Sequence, residues 1–294
     1  MPSVVCGNLA SSVHAQSGDL LLKSAAKYLV ACAALAVSWA PIYWMVTIAL
    51  KREIDQFASP PLWFAFTLTW EHFHDAFFVR SFGREMANSA VVAGGSTVAA
   101  LLLGVPAAYG LARLQWPGSL GERVGFWILS TRMLPPIVTI VPLFLMMREL
   151  RLLNSLLGLA LVYTAFNLPF VVWMMRGFFD EIPRELEEAA MVDGETRLGA
   201  LLRVVLPLSR PGLAATAVFC LIVAWNEFLF ALILSQTDAS ITLPVGIASR
   251  VTQYKIEWGS MSAAGVVAML PVLIFAAAVQ KHLVRGLSLG AVKG

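Results

Sequence analysis

Long apolar runs alternate with short polar joins along this chain. The runs fall at about 28–50, 86–112, 124–147, 156–175, 212–234 and 262–283, and they hold few or no charges. At ~1.5 Å rise per residue, about twenty residues of helix cross a hydrocarbon core of ~30 Å. Each run therefore predicts a transmembrane helix, and the expected fold is an all-α integral membrane domain of six spans over residues 28–285. Residues 1–27 are polar without periodicity and read as an N-terminal tail, with Lys23 and Lys27 just ahead of the first run. That run is longer than the ~7–15 apolar residues of a cleaved signal. Residues 286–294 form a Gly-rich C-terminal tail.

A few positions inside the spans break the apolar pattern. Gly94, Gly95, Ser96, Ala99 and Ala100 are small enough to let helices approach closely. Pro135, Pro136, Pro142 and Pro169 remove helical hydrogen bonds, which is tolerated where the backbone is buried or borders water. Arg132 and Glu227 are costly at membrane depth, at least ~2.5 kcal/mol each, so they should face the bundle interior or an aqueous path. At helical rise Arg132 lies roughly 13 Å along its span from Arg123, and Glu227 roughly 25 Å along its own from Arg210; the two need not pair. With Asn167 and the run Trp225-Asn226-Glu227-Phe228, they set hydrogen-bonding groups beside aromatic faces. That mixture suits a sugar, although each residue equally fits helix packing or interfacial anchoring.

The join from 176 to 211 differs from the others in length and charge. It predicts two short helices around a bend. Pro183 suits a first turn, Glu181 and Glu185 suit the positive helix end, Gly194 suits the exit, and Thr196 suits the next N-cap. Leu198, Leu201, Leu202 and Val205 follow the spacing of one apolar stripe. Pattern alone allows an amphipathic helix lying on the bilayer or a docking element for a soluble partner.

Composition adds exclusions. The chain is 59% hydrophobic and 13% charged, against roughly 25% charged in soluble domains. A net charge of +3 spread over many joins gives no basis for nucleic-acid binding. Cys6, Cys32 and Cys220 lack metal spacing, and His72-x-His74 without a further ligand fits a solvated loop better than a metal site. No phosphate-binding loop, zinc-protease motif or nucleophile elbow is present, so any ATP must be hydrolysed elsewhere.

Glu188-Ala189-Ala190, three residues, Gly194, nine residues and then Val204-x-Leu206-Pro207 resembles the cytoplasmic EAA loop of ATP-binding-cassette import permeases, with Val204 where Ile is usual. The resemblance implies that Glu188, Ala189, Ala190, Asp193, Gly194, Leu206 and Pro207 couple the chain to an ATP-hydrolysing subunit. Arg132-Met133-Leu134-Pro135, Leu168-Pro169-Phe170, Trp225-Asn226-Glu227-Phe228 and the closing run Gly286–Gly294 extend the likeness to the smaller, maltose-transporter-type permease half of carbohydrate importers. It further implies a substrate path past Arg132, Asn167, Trp225, Asn226 and Glu227, and a tail reaching the ATPase dimer through Gly290 and Lys293. The implied partners are two ATP-binding subunits using ATP and Mg, a second permease, an extracytoplasmic solute-binding protein and the lipid bilayer. The implied location is the bacterial inner membrane with both termini cytoplasmic, which a modest excess of Lys and Arg on that side supports. The alternatives are a related permease for glycerol phosphate or another small solute, and a proton-coupled carrier working through Arg132 and Glu227.

Overall fold

The structure, a computed structural model, describes the backbone of residues 4–79, 81–252 and 255–290, and the side chains of residues 26–79, 81–252 and 255–278. In chain order, α1 (Val4–Leu50) is followed by the single turns α2 (Glu53–Gln56) and α3 (Glu71–His74), then by α4 (Phe82–Arg113). Next come α5 (Leu120–Ser130), α6 (Pro136–Glu149) and α7 (Leu156–Asp180). The charged join holds α8 (Arg184–Val192), α9 (Arg197–Ala200) and α10 (Leu206–Leu208), with a wide π turn at Leu201–Val205. α11 (Arg210–Trp225), α12 (Leu229–Leu234), α13 (Leu243–Ala248) and α14 (Trp258–Gly290) complete the order. Extended pairing among the described residues is limited to two isolated bridges, Lys51 with Leu68 and Val251 with Ile256.

Among the described residues, four stretches are single helices long and apolar enough to cross a membrane: Ala26–Leu50, Phe82–Arg113, Leu156–Asp180 and Trp258–Ala278. The expected third span is not continuous, since Leu120–Met133 meets Pro136–Glu149 at 93°. The charged join enters the expected fifth span at an angle, Arg197–Leu208 meeting Arg210–Trp225 at 80°. The first elbow follows from Pro135 and Pro136: Leu134 and Pro135 are extended (ψ 125° and 129°), as residues before proline prefer. The fifth span also ends early, at Trp225, and resumes as α12. At the N-terminus the backbone is helical from Val4, so the stretch expected to be an irregular tail continues α1.

The frame is the pair α4 and α7, the most extensive helix pairing in the chain. It closes around Gly104, where a Cβ would lie 2.6 Å from Val171 Cγ1. Ala100, Ala108, Val171 and Met175 are fully buried along this seam. In lipid such contact is favoured by packing more than by water exclusion, so the small residues set how near the backbones come. Gly94 and Gly95, expected to serve this role, face open space instead. α11 lies on the same pair, with Thr216 and Cys220 fully buried and Gly212 beneath the Phe178 ring. α14 packs on α11 and carries α1 on its other side.

The connection from α12 to α14 is folded into the bundle rather than looped outside it. Asn88 Nδ2 donates to the carbonyls of Ala239 (3.1 Å) and Ile241 (2.9 Å), and Leu243 N donates to Ser89 Oγ (2.8 Å). Arg250, which a reading of the join would leave in solvent, is 2% exposed. It donates to Gly246 O (2.5 Å) and Ser260 Oγ (3.3 Å) and lies 3.6 Å from Glu85 Oε2.

The seam gives a direct stability test. Gly104→Leu is expected to cost about 1–3 kcal/mol by overpacking against Val171. Gly94→Ala, with nothing within 4 Å of the new methyl, should leave the melting temperature of the detergent-solubilised protein unchanged.

Candidate functional site

Two regions gather the polar residues that the sequence singles out. The first is the pair of helix breaks. Arg132 sits in the 3-10 turn Thr131–Met133 just before the proline elbow, exposed, with its guanidinium carbon 5.0 Å from the Phe170 ring centroid. Across from it, α11 stops at Trp225 and the carboxylate of Glu227 caps α12. Oε1 accepts from Phe230 N (2.8 Å), while Oε2 accepts from Ala231 N (3.2 Å) and from Tyr163 Oη (2.6 Å). Each donor is a backbone or phenol group that lipid could not satisfy, and an anion at a helix N-terminus is favoured by its dipole.

Arg132, Tyr163, Asn167, Glu227 and Phe230 line one cavity of about 220 Å³. The two ionisable residues thus share a wall although helical rise alone separates them in depth. A second cavity, about 460 Å³ and mostly apolar, opens on the other side of Arg132 between Val138, Pro142 and Phe166.

The five expected path residues do not all converge. Asn167 is buried and donates to Cys220 O (3.4 Å), stitching α7 to α11. Trp225 is buried as well, and its indole N–H donates to Ala268 O (3.2 Å), holding α11 to α14. Asn226 is exposed and returns its amide to Ile222 O (2.8 Å). Trp225 and Asn226 line a separate cavity of about 330 Å³ beside Leu243, Pro244 and Met269. Trp225 and Asn226 thus line a different cavity from Arg132, Asn167 and Glu227.

The second region is the charged join. Pro183 is extended (ψ 133°) ahead of α8, Gly194 takes φ +95° at the bend, and Thr196 Oγ1 caps α9 by accepting from Gly199 N (3.1 Å). Glu188, Ala189, Asp193 and Gly194 are exposed and Ala190 is half-buried. Leu206 and Pro207 are half-buried at the base, where Leu206 packs on the α4–α7 core. The expected single stripe is divided: Leu201 and Val205 are buried, whereas Leu198 and Leu202 are exposed. The π turn at Leu201–Val205 widens the angular step there, so the stripe expected of a regular helix is not kept through it. With Val192, 87% exposed, Leu198 and Leu202 form an uncovered apolar surface around the bend.

One feature of the join has no sequence signature. Glu187, next to the Glu188 of the motif, turns inward to Arg113 at the end of α4, Nε to Oε1 3.4 Å, with both residues buried. Arg113 Nη2 also donates to Ile182 O (2.6 Å), Arg184 Nη2 to Ala112 O (3.0 Å), and Tyr109 Oη to Arg197 O (3.4 Å).

At the far end of the bundle, His72 Nε2 lies 2.8 Å from Lys51 O. It belongs with His74, Glu53, Glu71 and Lys255 to a polar pocket of about 350 Å³. Lys51, 1% exposed, rests its ammonium on the faces of Trp44 (4.4 Å) and Phe66 (5.0 Å). Burial pushes its pKa below the ordinary lysine value, with Asp55 opposing. The hydrogen bond to Glu53 raises that of Lys255. Of the expected tail contacts, Gly290 ends α14 and Lys293 lies outside the described residues.

Residues 100–289 match the family of binding-protein-dependent transport system inner membrane components. The chain is 38% identical to the diacetylchitobiose uptake system permease protein of Streptomyces coelicolor over 86% of its own length and 91% of that protein. It is 37% identical to the trehalose transport system permease protein of Mycobacterium tuberculosis, over 86% and 92%. Among solved structures it matches a chain of a bacterial ABC transporter involved in the import of the acidic polysaccharide alginate, with TM-score 0.75, 24% identity, and 90% and 97% coverage.

Glu227 as a helix cap makes a measurable prediction. Glu227→Ala should lower stability by about 1–2 kcal/mol through lost capping and an orphaned Tyr163 hydroxyl. Glu227→Gln, which keeps one acceptor oxygen, should lose less; thermal melts of the two variants in detergent distinguish them.

Proposed function

We infer that this chain, which belongs to the family of binding-protein-dependent transport system inner membrane components, is one permease subunit of an ATP-driven carbohydrate importer. In this reading a second permease completes the membrane pathway. Two ATPase subunits, using ATP and Mg, sit in the cytoplasm, and an extracytoplasmic binding protein delivers a sugar or polyol. Relatives named for diacetylchitobiose, trehalose, and trehalose and maltose support the solute class.

The observation that carries the reading is the uncovered bend of α8 and α9. Val192, Leu198 and Leu202 are more than half exposed around Gly194. Exposed apolar residues interspersed in sequence with the exposed acids Glu188 and Asp193 suit a cleft in a soluble protein better than lipid tails, where acids are costly. In this reading the join, and with it both termini, lies in the cytoplasm. Ala189 and Ala190 allow close approach, Glu188 and Asp193 supply polar contacts, and the base at Leu206 and Pro207 transmits the displacement. Gly290 and Lys293 extend the contact toward the ATPase dimer.

The solute path passes the elbow at Arg132. The cavities on either side combine a cation, amide and phenol groups with the rings of Phe166 and Phe230, and such walls fit a pyranose, apolar on its C–H face and hydroxylated at its rim. A proton-coupled carrier needs a carboxyl that loads and unloads freely, whereas all the described partners of Glu227 hold its oxygens as acceptors.

Gly194→Asp is expected to abolish uptake with membrane insertion unchanged, because φ +95° is strained for any residue with a Cβ. Glu188→Lys should do the same by reversing a contact charge. Both are read by solute uptake beside the amount of permease in the membrane. A photo-cross-linker at Ala190 should capture an ATPase subunit. Normal uptake in both variants, or a cross-linker reachable only from outside the cell, sinks the assignment.

A further inference from the structure

The four contacts between the end of α4 and the α8–α9 join have a property that the exposed motif residues lack. They are directional, and most are shielded. Arg113 is 7% exposed and Glu187 6%. A charge pair held this far from water resists separation, since removing either partner leaves the other uncompensated. Around it, Arg113 reaches Ile182 O ahead of α8, Arg184 reaches back to Ala112 O, and Tyr109 reaches Arg197 O beyond the bend. The contacts cross in both directions and touch the join before, within and after α8. Beneath them, Phe179 of α7, fully buried, sets its ring edge-on to Tyr109 with centroids 6.0 Å apart.

We propose that Arg113 and Glu187 are positioning residues that make α8 one rigid body with the cytoplasmic end of α4. A push on the exposed bend then reaches the α4–α7 pair undiminished instead of being absorbed at Ile182 and Pro183. The proposal rests on the reading of the join as the ATPase-docking element, and it adds the route by which that element acts on the membrane helices. By the same geometry, flexing is left to the elbow of 93° between Leu120–Met133 and Pro136–Glu149.

The test uses the assembled importer (both permeases, both ATPase subunits) in nanodiscs, with Cys6, Cys32 and Cys220 replaced. Spin labels go at Val98 on α4 and Leu186 on α8, both exposed. Their distance is measured by double electron–electron resonance without nucleotide and with ATP trapped on hydrolysis-deficient ATPase subunits. The expected result is one narrow distribution, unchanged by ATP. With Arg113→Gln or Glu187→Gln the ATP-bound distribution should at least double in width, and Glu187→Asp should restore most of the narrowness.

A distance that shifts with ATP in the parent assembly overturns the proposal, as does a Glu187→Gln assembly indistinguishable from the parent. The parent measurement needs no change at the Arg113–Glu187 pair, so a variant that assembles poorly leaves the test standing. In the same particles, absence of a cross-link from Ala190 to an ATPase subunit defeats the docking reading itself. A cross-link that forms while the label distance moves defeats only the rigid joint.

Discussion

A helix that stops inside a membrane leaves backbone N–H and C=O groups that lipid cannot satisfy, and this constraint governs the present structure more than any other. The chain stops helices there repeatedly, and at several breaks a side chain from another element, or one held by it, meets the orphaned groups. Glu227, braced by Tyr163 of α7, takes the first N–H groups of α12. Asn88 and Ser89 of α4 serve the backbone leading into α13. Near the turn into α7, Asn154 Oδ1 accepts from Gln236 N (2.7 Å) while its own N–H donates to Leu234 O (2.8 Å), closing the end of α12. α4 and α7 thus act as the uninterrupted pair against which interrupted helices are completed.

The same constraint explains which parts of the structure were legible beforehand. Hydropathy located the four runs that form single long helices, and the proline pair at 135–136 marked a kink, because both signals are local. Pro183, Gly194 and Thr196 were legible for the same reason: a backbone dihedral or a cap is set by one or two neighbours. Arg250 and Lys51 were not. Each lies in a join that composition assigns to solvent; Arg250 is buried against Glu85, far away in sequence, and Lys51 against Trp44 of the preceding helix and Phe66 of its own join. Glu187 was hidden among a run of acids whose other members face outward. Nothing in the run itself tells which acid turns toward Arg113.

The cavity residues divide along the same line. Treating Arg132, Asn167, Trp225, Asn226 and Glu227 as one path follows from their chemistry and position, yet most of their polar groups have structural employment. Trp225 and Asn167 tie α11 to its neighbours, and Glu227 completes α12. Arg132 alone among the five makes no described hydrogen bond or ion pair, to backbone or side chain. It rests on Phe170, which stacks in turn on Phe219 with centroids 4.3 Å apart. A cation supported by rings on one side and open to cavities on two others can change partners without unfolding anything.

This distribution of held and free groups matches what an alternating machine requires. Small shifts are amplified where a packed structure has two discrete arrangements, and they are lost where a connection is soft. Here the charged join is fastened to α4 by a buried ion pair and three hydrogen bonds to carbonyls, so softness at that point would require separating charges out of water. At the elbow, Pro135 and Pro136 lack the N–H groups that would continue the helix, so turning it there costs fewer internal hydrogen bonds. Arg132 stands at that elbow, next to the cavity. On the proposed reading, motion received at the join and carried by α4 and α7 meets its least resistance at the elbow beside Arg132, with the moving part next to the solute and the stiff part next to the motor.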